Sequence, residues 1–309
     1  MERTLRRVRR RRRLPARFLP GAALLLCAAG SAAAQITTNT ALPVTEGHGV
    51  LRLQAKYLRS SEDPGPLERE LRVWVAPVVG AYGATSKLTL IAVVPVLDKS
   101  FRSTAPTGRE TREASGLGDV SLLARYTLVQ RDRPGQTLRV APFAGVEVPT
   151  GDDDDEDARG RLPQPLQLGS GSWDPLVGLV ATRQTLASEF DVSVSYGFNT
   201  EANRFRFGDE ARADIAYKVR VAPRTLGEGV PAFLFAAAES NLIWQDRNRM
   251  NGEVDRDSGG TAWYVAPGLQ YVTVRTIIES AVQLPVVQEL GGNGLETDLV
   301  VTLGLRLNL

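Results

Sequence analysis

The feature that most constrains this chain is the alternation of apolar and polar residues over long segments. From Phe190 to Asn199, Phe190, Val192, Val194, Tyr196 and Phe198 fall on one side, and Asp191, Ser193, Ser195, Gly197 and Asn199 on the other. Successive side chains of a strand point to opposite faces, so this pattern makes one apolar and one polar face, which a helix would scramble. Val120, Leu122, Ala124, Tyr126 and Leu128 repeat it, interrupted only by Leu123. Ala211 to Val221 repeats it again, and the last segment sets Leu299, Val301, Leu303, Leu305, Leu307 and Leu309 against Asp298, Thr302, Gly304, Arg306 and Asn308.

Extended along the chain, the pattern predicts about twelve strands, near residues 50–58, 69–82, 86–97, 118–129, 137–149, 171–183, 189–199, 209–222, 231–245, 260–273, 276–288 and 297–309. Many exceed the ~5–6 residues usual in soluble sheets and suit a tilted strand crossing a bilayer. Connections alternate in length. Short ones fall at Gly83 to Thr85, Gln130 to Gln136 and Gln184 to Ser188, and long ones at Asp98 to Leu117, Thr150 to Ser170 and Asp246 to Gly259. Short turns at one end and long polar loops at the other are the pattern of an outer-membrane barrel, and an even strand number leaves both termini on the periplasmic side. After the N-terminal region no window approaches the ~18 consecutive apolar residues of a helical span.

The expected fold is therefore all-β, a transmembrane antiparallel up-and-down β-barrel over residues 35–309. A soluble β-sandwich or lipocalin-like barrel also alternates, but it turns the apolar face inward. Here the polar rows are rich in full charges, and the apolar rows carry Tyr57, Trp263 and Tyr271 near strand ends, as interfacial girdles do.

Residues 1–34 read as a secretory signal peptide: a basic block from Arg3 to Arg17, an apolar stretch from Phe18 to Ala29, and small residues from Gly30 to Ala34. Cleavage after Ala32-Ala33-Ala34 leaves Gln35 first. The apolar core is shorter than a membrane anchor of ~20 residues needs. Cys27, the single cysteine, follows Leu24-Leu25-Leu26 rather than the small residue a lipidation signal wants, so cleavage discards it. The export signal also holds nine of the 37 basic residues and one of the 35 acidic ones, so the formal charge of +2 becomes about −6 in the mature chain. A nucleic-acid partner inferred from the precursor's charge is thereby excluded.

With no cysteine left, the mature chain has no disulfide and no thiolate, and nothing in it calls for a cofactor. The sole histidine, His48 in "EGHG", would have to serve any Ser-His-acid hydrolase, yet no serine near it shows a nucleophile motif. The run Asp152-Asp153-Asp154-Asp155-Glu156-Asp157 could hold divalent cations, but it lacks the spaced ligands and glycine of a calcium loop. The polar rows say more. On strand parity the lumen receives Arg52, Lys56, Arg72, Arg125, Arg139, Arg212, Lys218, Arg220 and Arg306, with Asp119, Glu147, Asp174, Asp191, Asp214 and Asp298. Two readings stand side by side: these charges pair and plug a narrow lumen, or they line a hydrated path for small solutes.

Two segments carry a resemblance: "GLGDVSLLARYTLVQRDRPGQTLRVAPFAGVEVPTGD" from Gly116 to Asp152, and "GSGSWDPLVGLVATRQ" from Gly169 to Gln184. They resemble the outer-membrane family named for the meta-pathway of phenol degradation, whose members are described as transporters. There, Gly-x-Gly-Asp opens a strand ending in a basic-aromatic pair, here Gly116, Gly118, Asp119 and Arg125-Tyr126, and a following strand closes on Pro-Thr-Gly, here Pro149, Thr150 and Gly151. These are turn and strand-end signals without chemistry of their own. The chain departs from many outer-membrane barrels in ending on Leu309 instead of Phe.

The resemblance implies a channel or transporter-like barrel for small molecules, hydrophobic aromatic ones among them. Its surroundings would be outer-membrane lipid and lipopolysaccharide. The alternatives are a structural or surface-interaction barrel without transport, and a membrane hydrolase using His48.

Overall fold

The structure, a computed structural model, describes residues 36–105, 108–227, 229 and 232–309. The export signal assigned to residues 1–34, with Cys27, lies outside the described residues. Twelve antiparallel strands close into a barrel. They are β1 (Gly49–Ser60), β2 (Glu70–Gly83), β3 (Leu88–Ala105), β4 in three pieces (Gly108–Leu117, Val120–Tyr126 and Val129–Arg133), β5 (Gln136–Val148), β6 (Asp174–Thr185), β7 (Ser188–Gly197), β8 (Glu210–Ala222), β9 (Phe233–Gln245), β10 (Gly260–Val272), β11 (Thr276–Leu290) and β12 (Leu299–Asn308). Each pairs with its neighbour in sequence, and β12 closes on β1 from Val50↔Asn308 to Arg59↔Leu299. Closure leaves no edge strand and satisfies the backbone internally, as a lipid environment requires.

The outward rows are apolar. Val78, Leu90, Leu122, Val194, Ile215, Leu242, Leu269 and Leu303 all lie exposed on the barrel's outside. Aromatic girdles flank them. Trp74, Trp244 and Trp263 ring the loop end, with the Tyr57 and Trp74 rings 4.7 Å apart, while Tyr82, Tyr126, Tyr217 and Tyr271 ring the turn end. Indole and phenol rings are amphipathic, so both bands settle at the headgroup level.

One expectation is corrected. The stretch from Asp98 to Leu117, expected as a long loop, is β structure, because β3 runs on to Ala105 and pairs with Gly108–Leu117 from Val96↔Leu117 to Ala105↔Gly108. The outward face of this hairpin is polar, with Asp98, Ser100 and Arg102 opposite Ser115, Glu113 and Thr111, while its inward face mixes Lys99, Glu110 and Arg112 with the buried Phe101 and Ala114. The hairpin extends past the membrane, where the outward face need not be apolar, so the outward apolar row that marks the other strands is missing.

The interior is not uniformly polar. Val79, Ala81, Ile91, Val93, Leu123, Ala141, Phe143 and Val180 form an inner apolar belt around Ala41 and Val44. Nearer the loop end, Leu58, Leu71, Val73, Leu97 and Phe101 pack against Leu162, Leu166 and Leu168 of the 149–173 loop. Leu123, the break in the alternation of β4, thus points inward for a reason: it packs against chain inside the barrel.

Candidate functional site in the barrel lumen

Residues 36–48 precede β1, and the first six of them are buried inside the barrel. The segment has no regular structure, so its backbone N–H and C=O groups must find partners on the wall. They do. The Glu239 carboxylate accepts from the N–H of Ile36 at 2.7 Å and of Thr37 at 2.8 Å, and from the hydroxyl of Thr38 at 3.2 Å. The Ile36 carbonyl accepts from Arg52 Nη2 at 2.9 Å and Gln54 Nε2 at 3.3 Å. Arg125 donates to the carbonyls of Thr40 at 2.5 Å and Leu42 at 2.7 Å, and to Asn39 Oδ1 at 3.0 Å. The N–H groups of Ala41 and Val44 reach Thr182 Oγ1 at 2.7 Å and Thr89 Oγ1 at 3.2 Å. Ile36 itself packs on Ala237 and Ala281, and a Cβ on Gly268 would stand 2.5 Å from its Cδ1. Small residues at these wall positions make room for the inserted chain.

Several of the charges assigned to the lumen therefore grip a peptide. Arg52 and Arg306 share Glu279, at 2.5 Å and 3.4 Å, with the Glu279 side chain fully buried. Arg212 pairs with Asp214 at 2.9 Å and reaches the Thr37 carbonyl at 3.4 Å. Asp191 accepts from Thr182, Lys218 pairs with Glu189 at 3.2 Å, and Lys56 stands on the inward row of β1. At the turn end Lys218 and Arg220 sit over the rings of Phe235 and Phe233, each at 5.4 Å, and Arg139 turns back to Asp132 at 2.6 Å.

Two residues lie elsewhere than the lumen. Arg72 shares the outward row with Trp74, between buried Leu71 and Val73, and pairs with Glu70 at 2.7 Å. Asp298 precedes β12 at the loop-end rim, where it accepts from Ser61 N and Oγ at 3.1 and 2.6 Å and pairs with Arg59 at 3.4 Å. The physical reason is shared. Beyond the girdle the outward face meets headgroups and water instead of hydrocarbon, so charge on a residue no longer marks it as inward.

Asp119 has a different task. Its carboxylate accepts from the N–H of Thr150 at 3.0 Å, Gly151 at 2.9 Å and Ser170 at 2.6 Å, which fastens both ends of the 149–173 loop to the start of the second piece of β4. Thr150 Oγ1 donates to the Gly118 carbonyl at 3.1 Å. A Cβ on Gly169 would stand 2.4 Å from the Gly151 carbonyl oxygen, so the two backbones meet where no side chain fits. The Gly-x-Gly-Asp and Pro-Thr-Gly signals are thus two sides of one loop anchor. Beneath it Leu166 is 1% exposed, and Lys99 Nζ donates to the Gln167 carbonyl at 2.5 Å.

On the opposite side, at the loop ends of β5 to β8, a semi-open cavity of about 90 Å³ remains. Glu147, Asp174, Glu210 and Asp214 line it with Leu123, Phe143, Leu176 and Tyr196, and Thr37 and Asn39 of the inserted segment reach it from within.

His48 is an exposed turn residue whose Nδ1 lies 3.0 Å from the Glu46 carbonyl. The acidic run is differentiated. Two hydrogen bonds from Arg112, at 2.7 and 2.8 Å, hold the Asp157 carboxyl below its ordinary range, whereas burial and then the charges of Asp152 and Asp154 push Asp155 up. Among the described residues no group of three or more His, Cys, Asp or Glu could hold a metal ion.

Sequence reasoning missed Glu239, Glu279, Glu189 and Glu210, and with them the inserted segment. Glu239 follows Phe233-Leu234-Phe235-Ala236-Ala237-Ala238, where both faces are apolar because the inner one packs on Ile36, so parity gave no signal.

A family model described as "Putative MetA-pathway of phenol degradation" matches residues 68–284. Among solved structures, the COG4313 outer membrane channel from Pseudomonas putida F1 superposes with a TM-score of 0.68 at 13% identity, covering 89% of this chain and 100% of that one. The β domain of the Bordetella autotransporter Brka (TM-score 0.43, 12% identity, 85% and 100% covered) and the CymD monoaromatic hydrocarbon channel (0.41, 10%, 86% and 89%) overlap more loosely. No curated protein matches the sequence.

Proposed function

The chain belongs to the phenol-degradation family just named, and on that premise we propose that it is an outer-membrane channel for small solutes, hydrophobic and aromatic ones among them. The observation that carries this reading is the width of the lumen. A barrel of ~8 strands fills its interior with wall side chains, whereas this one admits a complete backbone segment, 36–44, with a cavity beside it. That segment is held by hydrogen bonds and packing alone, so it can withdraw as a unit. The superposable fold of a protein described as an outer membrane channel supports the reading. Catalysis has no part in it. The chain is exported and cleaved after Ala34, and its outer rim meets lipopolysaccharide.

One observation favours a barrel without transport: the inserted segment and the 149–173 loop together fill much of the lumen. Planar bilayers decide between them. The full-length mature protein should pass a small current, and deletion of residues 36–46 should raise it several-fold. A folded barrel that stays tight with and without the segment would overturn the channel reading.

A further inference from the structure

The cavity at the loop ends of β5 to β8 has an unusual charge balance. Glu147, Asp174, Glu210 and Asp214 line it against a single cation, Arg212, which Asp214 already engages at 2.9 Å. Asp174 is provided for by Ser172 Oγ at 2.8 Å and the Thr200 N–H at 2.6 Å. Glu147 forms no ion pair among the described residues. Glu210 is only 9% exposed, and its Oε2 has no hydrogen-bond partner. A buried carboxylate oxygen left without a donor carries a desolvation cost that a cation or a hydrogen-bond donor removes. Leu123, Phe143, Leu176 and Tyr196 supply an apolar surface on the same cavity.

The carboxylates do not converge as metal ligands would, since among the described residues no group of three or more could hold a metal ion. A spread of acceptors beside an apolar wall instead matches a positive nitrogen with several N–H donors on an apolar body. We propose that this cavity binds the ammonium group of an organic amine, with Glu210 and Glu147 as its acceptors and Phe143, Leu123 and Leu176 against its hydrocarbon part. Anionic solutes of the same size are turned away. The proposal rests on the channel reading for its biological sense but not for its test.

Calorimetry on the full-length mature protein in detergent provides that test, with benzylammonium, benzyl alcohol and benzoate as probes of nearly equal size. Benzylammonium should bind, benzyl alcohol more weakly, and benzoate not at all. Glu210→Gln and Glu147→Gln should each weaken benzylammonium roughly tenfold, the loss expected for one charge-assisted hydrogen bond. Benzoate binding as tightly as benzylammonium, or both variants binding benzylammonium like the parent, would overturn the proposal. The comparison among the three probes needs no variant, so a variant that fails to fold leaves the test intact. Binding without bilayer current sustains this proposal and sinks the channel reading. Current through the parent barrel with no preference for potassium over chloride, together with equal binding of the three probes, sinks this proposal alone.

Discussion

Two things fill this barrel, and they are held by different proportions of the same forces. Residues 36–44 are held largely by hydrogen bonds from their amides and carbonyls to Glu239, Arg52, Arg125, Arg212 and Thr182, with Ile36, Ala41 and Val44 packed on apolar wall residues. The 149–173 loop covers the inner wall of β1 to β4 with Leu162, Leu166 and Leu168, and its ends are tied to Asp119. Hydrogen bonds broken by a departing segment are replaced by bonds to water, whereas buried apolar surface is lost in proportion to its area. The first filling therefore suits something that must come and go, and the second something that stays.

The sharpest way to break the comparison is to crowd the polar filling without touching its hydrogen bonds. In Ala237→Leu the longer side chain competes with Ile36 for the same space, so single-channel current should rise toward that of the 36–46 deletion. An unchanged current would show that the segment does not obstruct the path. Glu279→Gln leaves Arg52 and Arg306 buried without their anion and should cost about 3–5 kcal/mol of barrel stability, read from the denaturant midpoint of the heat-modifiable band.

Leu166→Ala should cost about 2–5 kcal/mol for the cavity it leaves, measured in the same denaturant titration, but leave the current as it was. A large current increase would mean that the loop, too, is a gate. The smallest effect concerns Asp157, whose carboxyl Arg112 holds below its ordinary value. A lowered folded value means the contact contributes fully above the unfolded carboxylate value of ~3.9 and is lost as pH falls through the folded one. Limited proteolysis of the 149–173 loop should thus accelerate below about pH 4, and Asp157→Asn should remove that acid step while leaving any change at higher pH, where Asp155 titrates, in place.

The twelve strands were legible because a lipid-facing row must be apolar at every second residue, and Phe190 to Asn199 could hardly announce it more plainly. The signal failed wherever that requirement lapsed. Arg72 lies beyond the Tyr57–Trp74 girdle, where outward charge is tolerated. The hairpin ending β3 stands outside the membrane. The inserted segment was invisible for a deeper reason. "ITTNTALPVTEG" has no period of its own, and its partners are side chains as remote as Glu239, 203 residues further on from Ile36. Of the lumen charges, parity could place Arg52 and Arg125 on the inner row, but not say that they hold a peptide carbonyl.

The pairing of β1 with β12 has a consequence for assembly. The first and last strands meet along this seam, so the barrel cannot zip shut until the final residues have been delivered. The inserted segment leads straight into β1, and Ile36 touches side chains of β1, β9 and β11. It must therefore be threaded while the seam is still parted, or else slide in from the turn end afterwards. Arg52 and Arg306, which sit opposite one another across the seam and share Glu279, make the stitch that fastens cylinder and occupant together.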